Sequence, residues 1–365
     1  MKIALVADWL VTFGGAEHVL HALHQLWPEA PLFTTVARTD NLGPLASADI
    51  RTTSLQKWYS LIGKHQLLLP FMPRAIESID LTGFDVVISS SHAVAKGIIV
   101  PTTTRHICYC HTPMRYAWEM EEEYLNDFGV RWPLRTPIKK MLSKIRRWDL
   151  STAERVDTFI ANSTETQSRI KNIYGRESTV ISPPVSDRFY EWSVASNQSA
   201  TRSYFLALGR LVPYKRFDLL IELANREKLP LKIAGTGSEM QRLKKLAGPT
   251  VEFLGYVPDA DLPSLYSRAK ALLFPQYEDA GIVPMEAMAS GTPVIAYDKG
   301  GVKDVIEDSV TGILVTEQSV EAFSAAIKRF EQSMFETERI RSSMIKFREE
   351  EFQRRIIELV EEVRK

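Results

Sequence analysis

Along this chain, short apolar runs alternate with longer stretches in which apolar residues return every three or four positions. "KIALVA" (2–7), "DVVISSS" (85–91), "RHICYC" (105–110), "TFIAN" (158–162) and "STVISPP" (178–184) predict strands. A second set follows: "YFLALG" (204–209), "LKIAG" (231–235), "VEFLG" (251–255), "ALLFP" (271–275), "PVIAY" (293–297) and "GILV" (312–315). Helical periodicity lies between them, at 15–26, 164–174, 215–227, 238–247, 261–270 and 318–331. Repeated strand–helix units predict an α/β fold with parallel sheets and helices on both faces.

The two sets are separated by "SDRFYEWSVASNQSATRS" (186–203), which is polar, Ser-rich and aperiodic and reads as a linker. The expected architecture is two Rossmann-like domains, 1–186 and 187–345, with parallel sheets facing across a cleft. Residues 335–365 carry a charged helical pattern. From about residue 346 they are expected to pack back on the first domain.

Composition changes this picture little. A chain of 365 residues suits two domains, and 45 Lys and Arg balance 45 Asp and Glu. No global field favours nucleic acid, so electrostatic function must come from local clusters. Cys108 and Cys110 are the only cysteines and cannot build a disulfide framework, which suits a reducing cytoplasm. "MKIALVADWL" reads as a first strand, too short and polar-ended for a signal peptide, and no later stretch reaches membrane-spanning length without a break.

Two stretches concentrate candidate chemistry. In "GRLVPYKRFD" (209–218), Gly209 closes the first strand of the second domain, and Arg210 and Lys215 follow at its carboxyl end. Open α/β sheets present ligands there, and a guanidinium with an ammonium suits a pyrophosphate. The other reading is a solvated loop with two surface cations. In "EDAGIVPME" (278–286), Glu278 and Glu286 bracket a strand-to-helix crossing through Ala280, Gly281, Ile282 and Val283. A helix starting near Val283 or Pro284 offers free N–H groups to an anion, and Gly281 lets a ligand approach the backbone. Glu286, expected in the first turn, would accept hydrogen bonds from ribose hydroxyls, and Glu278 from a second polyol. One anion site between two hydroxyl acceptors matches a nucleotide-sugar. Two glutamates that merely favour a helix N-terminus are the alternative.

Taken in order, "GRLVPYKRFD", "AGTGSE", "FLGYV" and "EDAGIVPMEAMASGTPVIAYDKGG" resemble the retaining GT-B glycosyltransferases of family 4, whose acid pair is separated by seven residues. "FGGAEHVL" (13–20) resembles the family's glycine loop. "DVVISSSHAVAKG" and "YCHTPMRYAW" resemble mannosyltransferases that use GDP-mannose to build bacterial surface polysaccharides. Ala280 departs from the family, which often has Phe there, and this bears on the sugar pocket.

The resemblance implies roles for matching positions. Arg210 and Lys215 would bind the donor diphosphate and stabilise it as it leaves, Glu286 would bind ribose, and Glu278 would contact the transferred sugar. Gly14 and Gly15 would approach the diphosphate, Glu17 would order that loop, and Gly235 of "AGTGSE" would frame the donor site. His111 would lie near the donor sugar and phosphate. Glu17, Arg115 and Tyr116 are expected on the acceptor side. The implied reaction is hexosyl transfer with retained configuration, by front-face departure and attack, with no cofactor and no metal. Glu278 as a covalent nucleophile is the alternative mechanism. A UDP- or ADP-sugar donor, a nucleotide-sugar epimerase and a non-catalytic nucleotide-sugar sensor are the alternative functions.

Other signals carry less. His106, Cys108 and Cys110 share one face of a strand, where thiols filling a core outweigh a zinc site. "DAD" (259–261) reads as an N-cap at Asp261 with Pro263 in the first turn. "AGTGSE" lacks the third glycine of a dinucleotide fingerprint, and "SSSH" (89–92) lacks a nucleophile elbow. The run 131–151 carries Arg131, Arg135, Lys139, Lys140, Lys144, Arg146 and Arg147, with Ile138, Met141, Leu142, Ile145 and Trp148 at helical spacing. Two readings stay open: a basic helix lying on an anionic membrane, or one packed on its domain with a solvated face. "WYSLIGKHQLLLPFMP" (58–73) is a second candidate for membrane contact or part of an acceptor groove. The expected location is cytoplasmic, peripheral to the inner face of the plasma membrane if such contact is made. The expected partners are a nucleotide-sugar and a saccharide or lipid-linked saccharide acceptor.

Overall fold

The computed structural model describes residues 1–118, 132–191 and 202–364, without the side chains of residues 116 and 132–134. The chain forms two compact units, Met1–Ser182 with Phe352–Lys365, and Pro183–Glu351.

The first unit holds β1 (Ile3–Ala7), β2 (Leu32–Thr34), β3 (Ile50–Thr52), β4 (Val86–Ser91), β5 (Arg105–Cys110), β6 (Thr158–Ala161) and β7 (Ser178–Val180). They form one parallel sheet in the order β3-β2-β1-β4-β5-β6-β7. β2 and β3 were not anticipated. At three residues each, they are too short to display a period, and they are recognisable only by pairing beside β1. The strands bury both faces: Ile3, Leu5 and Ala7 enter one core and Ala4 and Val6 the other.

The second unit holds β8 (Tyr204–Leu208), β9 (Leu231–Ala234), β10 (Val251–Gly255), β11 (Ala269–Phe274), β12 (Val294–Tyr297) and β13 (Gly312–Val315), again parallel, in the order β10-β9-β8-β11-β12-β13. Tyr204 and Leu206 face one core, Phe205 and Ala207 the other. In each sheet the chain order reverses beside the first strand, between β1 and β4 and between β8 and β11. The crevice outside the carboxyl ends of such a strand pair is where open α/β sheets bind ligands.

The helix Glu349–Arg364 completes the first unit. Its Phe352, Ile356 and Val360, spaced four apart, are buried in the same core as Leu5 and Ile107, and Phe352 meets the Tyr109 ring edge-on at 6.0 Å. Three such side chains contribute roughly 1.5–3 kcal/mol each.

The basic helix Trp132–Thr152 buries Leu142 and Ile145 and packs Met141 and Trp148 against the first unit, so this apolar face is covered. Lys140, Lys144 and Arg147 remain exposed. Arg131 lies outside the described residues. No helix among the described residues is long and apolar enough to cross a membrane.

Candidate functional site

In the second unit the chemistry gathers where β8 and β11 end. Gly209 follows β8 at φ +148°, and a Cβ there would stand 3.0 Å from Lys215 Nζ. Gly235 follows β9 at φ +132°, and its Cβ would fall 1.9 Å from the Gly209 carbonyl oxygen, so no side chain fits. Lys215 closes the turn Pro213–Lys215 and is buried, with its Nζ 2.6 Å from Glu278 Oε1. Arg210 is exposed. The backbone of Glu278 is fixed as well: Gly301 donates its N–H to the Glu278 carbonyl at 3.0 Å. Gln276, between β11 and Glu278, keeps a buried Oε1 with no hydrogen-bond partner among the described residues.

Ala280 leads to Gly281, which caps the helix Ile282–Ala289 in the left-handed conformation, φ +72°. Met285 donates to the Gly281 carbonyl at 3.2 Å and Pro284 has no N–H. The donors left in the first turn are therefore Ile282 and Val283. The helix starts earlier than the sequence suggested, which puts Glu286 in the second turn rather than the first. There Tyr266 donates its hydroxyl to Glu286 Oε2 at 2.9 Å. Burial pushes the Glu286 carboxyl up to about 7, against the opposing pull of that hydrogen bond. Asp261 caps Leu262–Ser267 with Pro263 in its first turn, though its carboxylate makes no capping bond.

The first unit has its own polar centre where β1, β4 and β5 end. Gly14 caps the helix Gly15–Leu26 and donates its N–H to Glu17 Oε2 at 3.0 Å. Burial raises the Glu17 carboxyl above its ordinary value. His111 follows β5, its Nε2 2.8 Å from Ser90 Oγ. Burial, then the neighbouring His92, push its imidazole down to about 3, so it is neutral near pH 7 and serves as a hydrogen-bonding group rather than a cation. Arg115 opens the short helix Arg115–Trp118, half-buried; the side chain of Tyr116 lies outside the described residues.

Sequence reasoning missed the residue that organises this centre. Asp8 follows β1 and is fully buried. His92 and Ala93 donate backbone N–H groups to its Oδ2 at 2.7 and 3.1 Å, and Val94 and Ala95 to its Oδ1, both at 2.5 Å. His92 Nδ1 lies 2.9 Å from Oδ2. Burial pushes the Asp8 carboxyl up, but His92 and these donors hold it below its ordinary value. Trp9, next in the chain, stands between His65 and His92, 4.8 Å from each ring, and Trp9, Glu17, Ser90 and His92 line one pocket. A polar residue directly after an apolar strand was the available signal.

Cys108 and Cys110 fill a core with Phe159, and His106 bonds Ser89 Oγ at 2.8 Å. Among the described residues no three His, Cys, Asp or Glu side chains are grouped to hold a metal.

Two Rossmann-like units, each with its polar groups at the switch point of a parallel sheet, define the GT-B class of glycosyltransferase. Residues 13–189 match the family described as Glycosyltransferase Family 4, and residues 189–347 match Glycosyl transferases group 1. The chain belongs to the family 4 glycosyltransferases. It is 36% identical over 121 residues to a GDP-mannose-dependent alpha-mannosyltransferase of Mycolicibacterium smegmatis, covering 33% of this chain and 31% of the relative. It is 32% identical over 143 residues to O-antigen chain mannosyltransferase B of Escherichia coli, covering 36% and 37%. The matched stretches thus span about a third of the length of these relatives. The fold is similar to Anabaena Alr3699/HepE in complex with UDP, with a TM-score of 0.70 at 18% identity over 99% of this chain and 100% of that one.

Proposed function

We propose that this glycosyltransferase moves a mannosyl group from GDP-mannose to a saccharide acceptor carried on a lipid, in surface polysaccharide assembly, with retention of anomeric configuration. The observation that carries the donor reading is the Lys215–Glu278 pair at the switch point of the second sheet, 2.6 Å apart, in the loops leaving β8 and β11. Arg210, Lys215 and the first-turn N–H groups of Ile282 and Val283 supply positive charge for a diphosphate without a divalent cation. Glu286 accepts from the ribose, and Glu278 from the hexose. In the first unit, Glu17 is the residue assigned to the acceptor side; the pocket it lines with Trp9 and His92 has room for about one water molecule, so a sugar would lie outside it.

The bond from the anomeric carbon to the diphosphate oxygen breaks, and the nucleoside diphosphate leaves with the electron pair. The acceptor hydroxyl oxygen bonds to that carbon on the same face, and its proton passes to the departing phosphate. Glu278 as a covalent nucleophile is the alternative mechanism, and its ion pair with Lys215 engages only Oε1. The choice of mannose rests on the two mannosyltransferase relatives. A UDP-sugar is the second reading, favoured by the UDP held by the Anabaena protein.

The test is calorimetric titration with GDP, UDP and ADP, with and without EDTA. EDTA-insensitive binding of GDP alone is expected. Preference for UDP or ADP would replace the mannose assignment, and binding of no nucleotide would overturn the donor site.

A further inference from the structure

The first unit carries an apolar surface that its own core does not use. Trp58 is 61% exposed, Leu61 81%, Ile62 41%, Leu67 61% and Phe71 60%. Five of the thirteen large apolar side chains exposed among the described residues thus fall within fourteen positions, which makes this one patch rather than scatter. It is built on the helix Leu55–Ile62 and the 3₁₀ helix His65–Phe71. Leu55, Tyr59, Leu68 and Leu69 point inward and are buried, so the segment is anchored by one set of apolar residues and presents another.

The charge carried by the segment itself is of one sign. Lys57, Lys64 and Arg74 are exposed, and no acidic residue occurs from Ile50 to Ile76. The base of the segment reaches the polar centre: His65 packs on Trp9 at 4.8 Å, and Trp9 meets His92 at 4.8 Å.

We propose that residues 58–71 form the surface by which this protein docks on an anionic lipid bilayer. The apolar side chains enter the boundary between headgroups and acyl chains, while Lys57, Lys64 and Arg74 meet anionic headgroups. The basic helix Trp132–Thr152 is not the inserting element, because Met141, Leu142, Ile145 and Trp148 are buried or packed against the first unit and leave Leu150 as its one strongly exposed large apolar side chain among the described residues. Docking at 58–71 brings Trp9 and its pocket close to the membrane, where a lipid-carried acceptor would be found. That last consequence rests on the proposed acceptor, whereas the docking surface does not.

The test is flotation of the full chain, without nucleotide, on vesicles of phosphatidylcholine alone or mixed with phosphatidylglycerol. Binding is expected on the mixed vesicles, about tenfold or more above neutral ones and weakened by salt. L61S/F71S alters only exposed side chains and is expected to lose about tenfold or more of this binding at an unchanged melting temperature. K57E/K64E is expected to lose the preference for anionic vesicles. Absence of vesicle binding, equal binding to both compositions, or undiminished binding by L61S/F71S would each overturn the proposal. A wild-type dimer in sedimentation velocity that L61S/F71S disperses would also overturn it, assigning the patch to a second copy of the chain. Because no nucleotide is used, these outcomes are independent of the calorimetric titration.

Discussion

Lys215 and Glu278 stand 2.6 Å apart, nitrogen to oxygen, although 63 residues separate them in sequence. The pairing follows from topology: β8 and β11 are neighbours, so the loops leaving them converge. Each charge is held in place by the other, and removing either leaves the second only partly solvated.

The two residues should respond differently to replacement. Lys215→Ala is expected to weaken nucleoside diphosphate binding by about tenfold or more, since the group that meets the leaving phosphate is gone. Glu278→Gln should lower turnover by about 100-fold while nucleotide affinity stays within about threefold. Calorimetry paired with single-turnover rates separates the effects. Equal losses of nucleotide affinity in both variants would abolish the division of roles.

Glu286 should make the second unit sensitive to pH near neutrality. Its carboxyl rises from 4.5 to about 7 on folding. A raised folded value means that its contribution is fully present below the unfolded value and is lost as pH rises through about 7. Urea unfolding should therefore show the wild type losing roughly 3 kcal/mol relative to Glu286→Gln between about pH 4.5 and pH 8, the histidines contributing equally to both. If ribose hydroxyls bond the ionised form, nucleotide affinity moves oppositely and falls as pH drops below about 7.

Asp8 should matter to stability first and to activity through it. Four backbone N–H groups converge on its carboxylate. Asp8→Ala leaves them unpaired in a buried turn and is expected to cost about 3 kcal/mol or more. The lowered folded value sets the sign of the acid response: this stabilisation is present above the unfolded value of 3.8 and is lost as pH falls through the folded one. Chemical denaturation of wild type and Asp8→Asn below about pH 4 should show the wild type losing stability more steeply.

Gly235→Ala tests the crossing of two loops. A methyl group at this position would lie 1.9 Å from the Gly209 carbonyl oxygen. The expected result is a loss of about 2 kcal/mol or more, together with weaker nucleotide binding as Gly209 and Lys215 shift. Unchanged melting and unchanged affinity would show that the loops yield without cost.

The two parallel sheets were legible because most of their strands are continuous apolar runs, such as Ile3–Ala7 and Tyr204–Leu208. β2 and β3 were not, since three residues leave no period to detect. For the candidate site, the local sequence showed that Gly209, Lys215 and Glu278 follow strands, but not that two of them form an ion pair, because strand order is a long-range property. The start of Ile282–Ala289 was misplaced because Pro284 resembles a first helical residue and stands at the third position. Asp8 escaped notice because its role depends on a turn more than eighty residues away.

The chain leaves the first unit after Ser182 and rejoins it at Phe352. A ribosome therefore emits the whole of Pro183–Glu351 before supplying the Phe352, Ile356 and Val360 that fill the core beside Leu5 and Ile107. During synthesis the later unit can acquire its structure first, while the earlier one waits with an apolar groove uncovered. In this protein the order of translation and the order of completion run in opposite directions. A nascent chain stalled short of Phe352 should be open to proteases and chaperones in its oldest part rather than its newest.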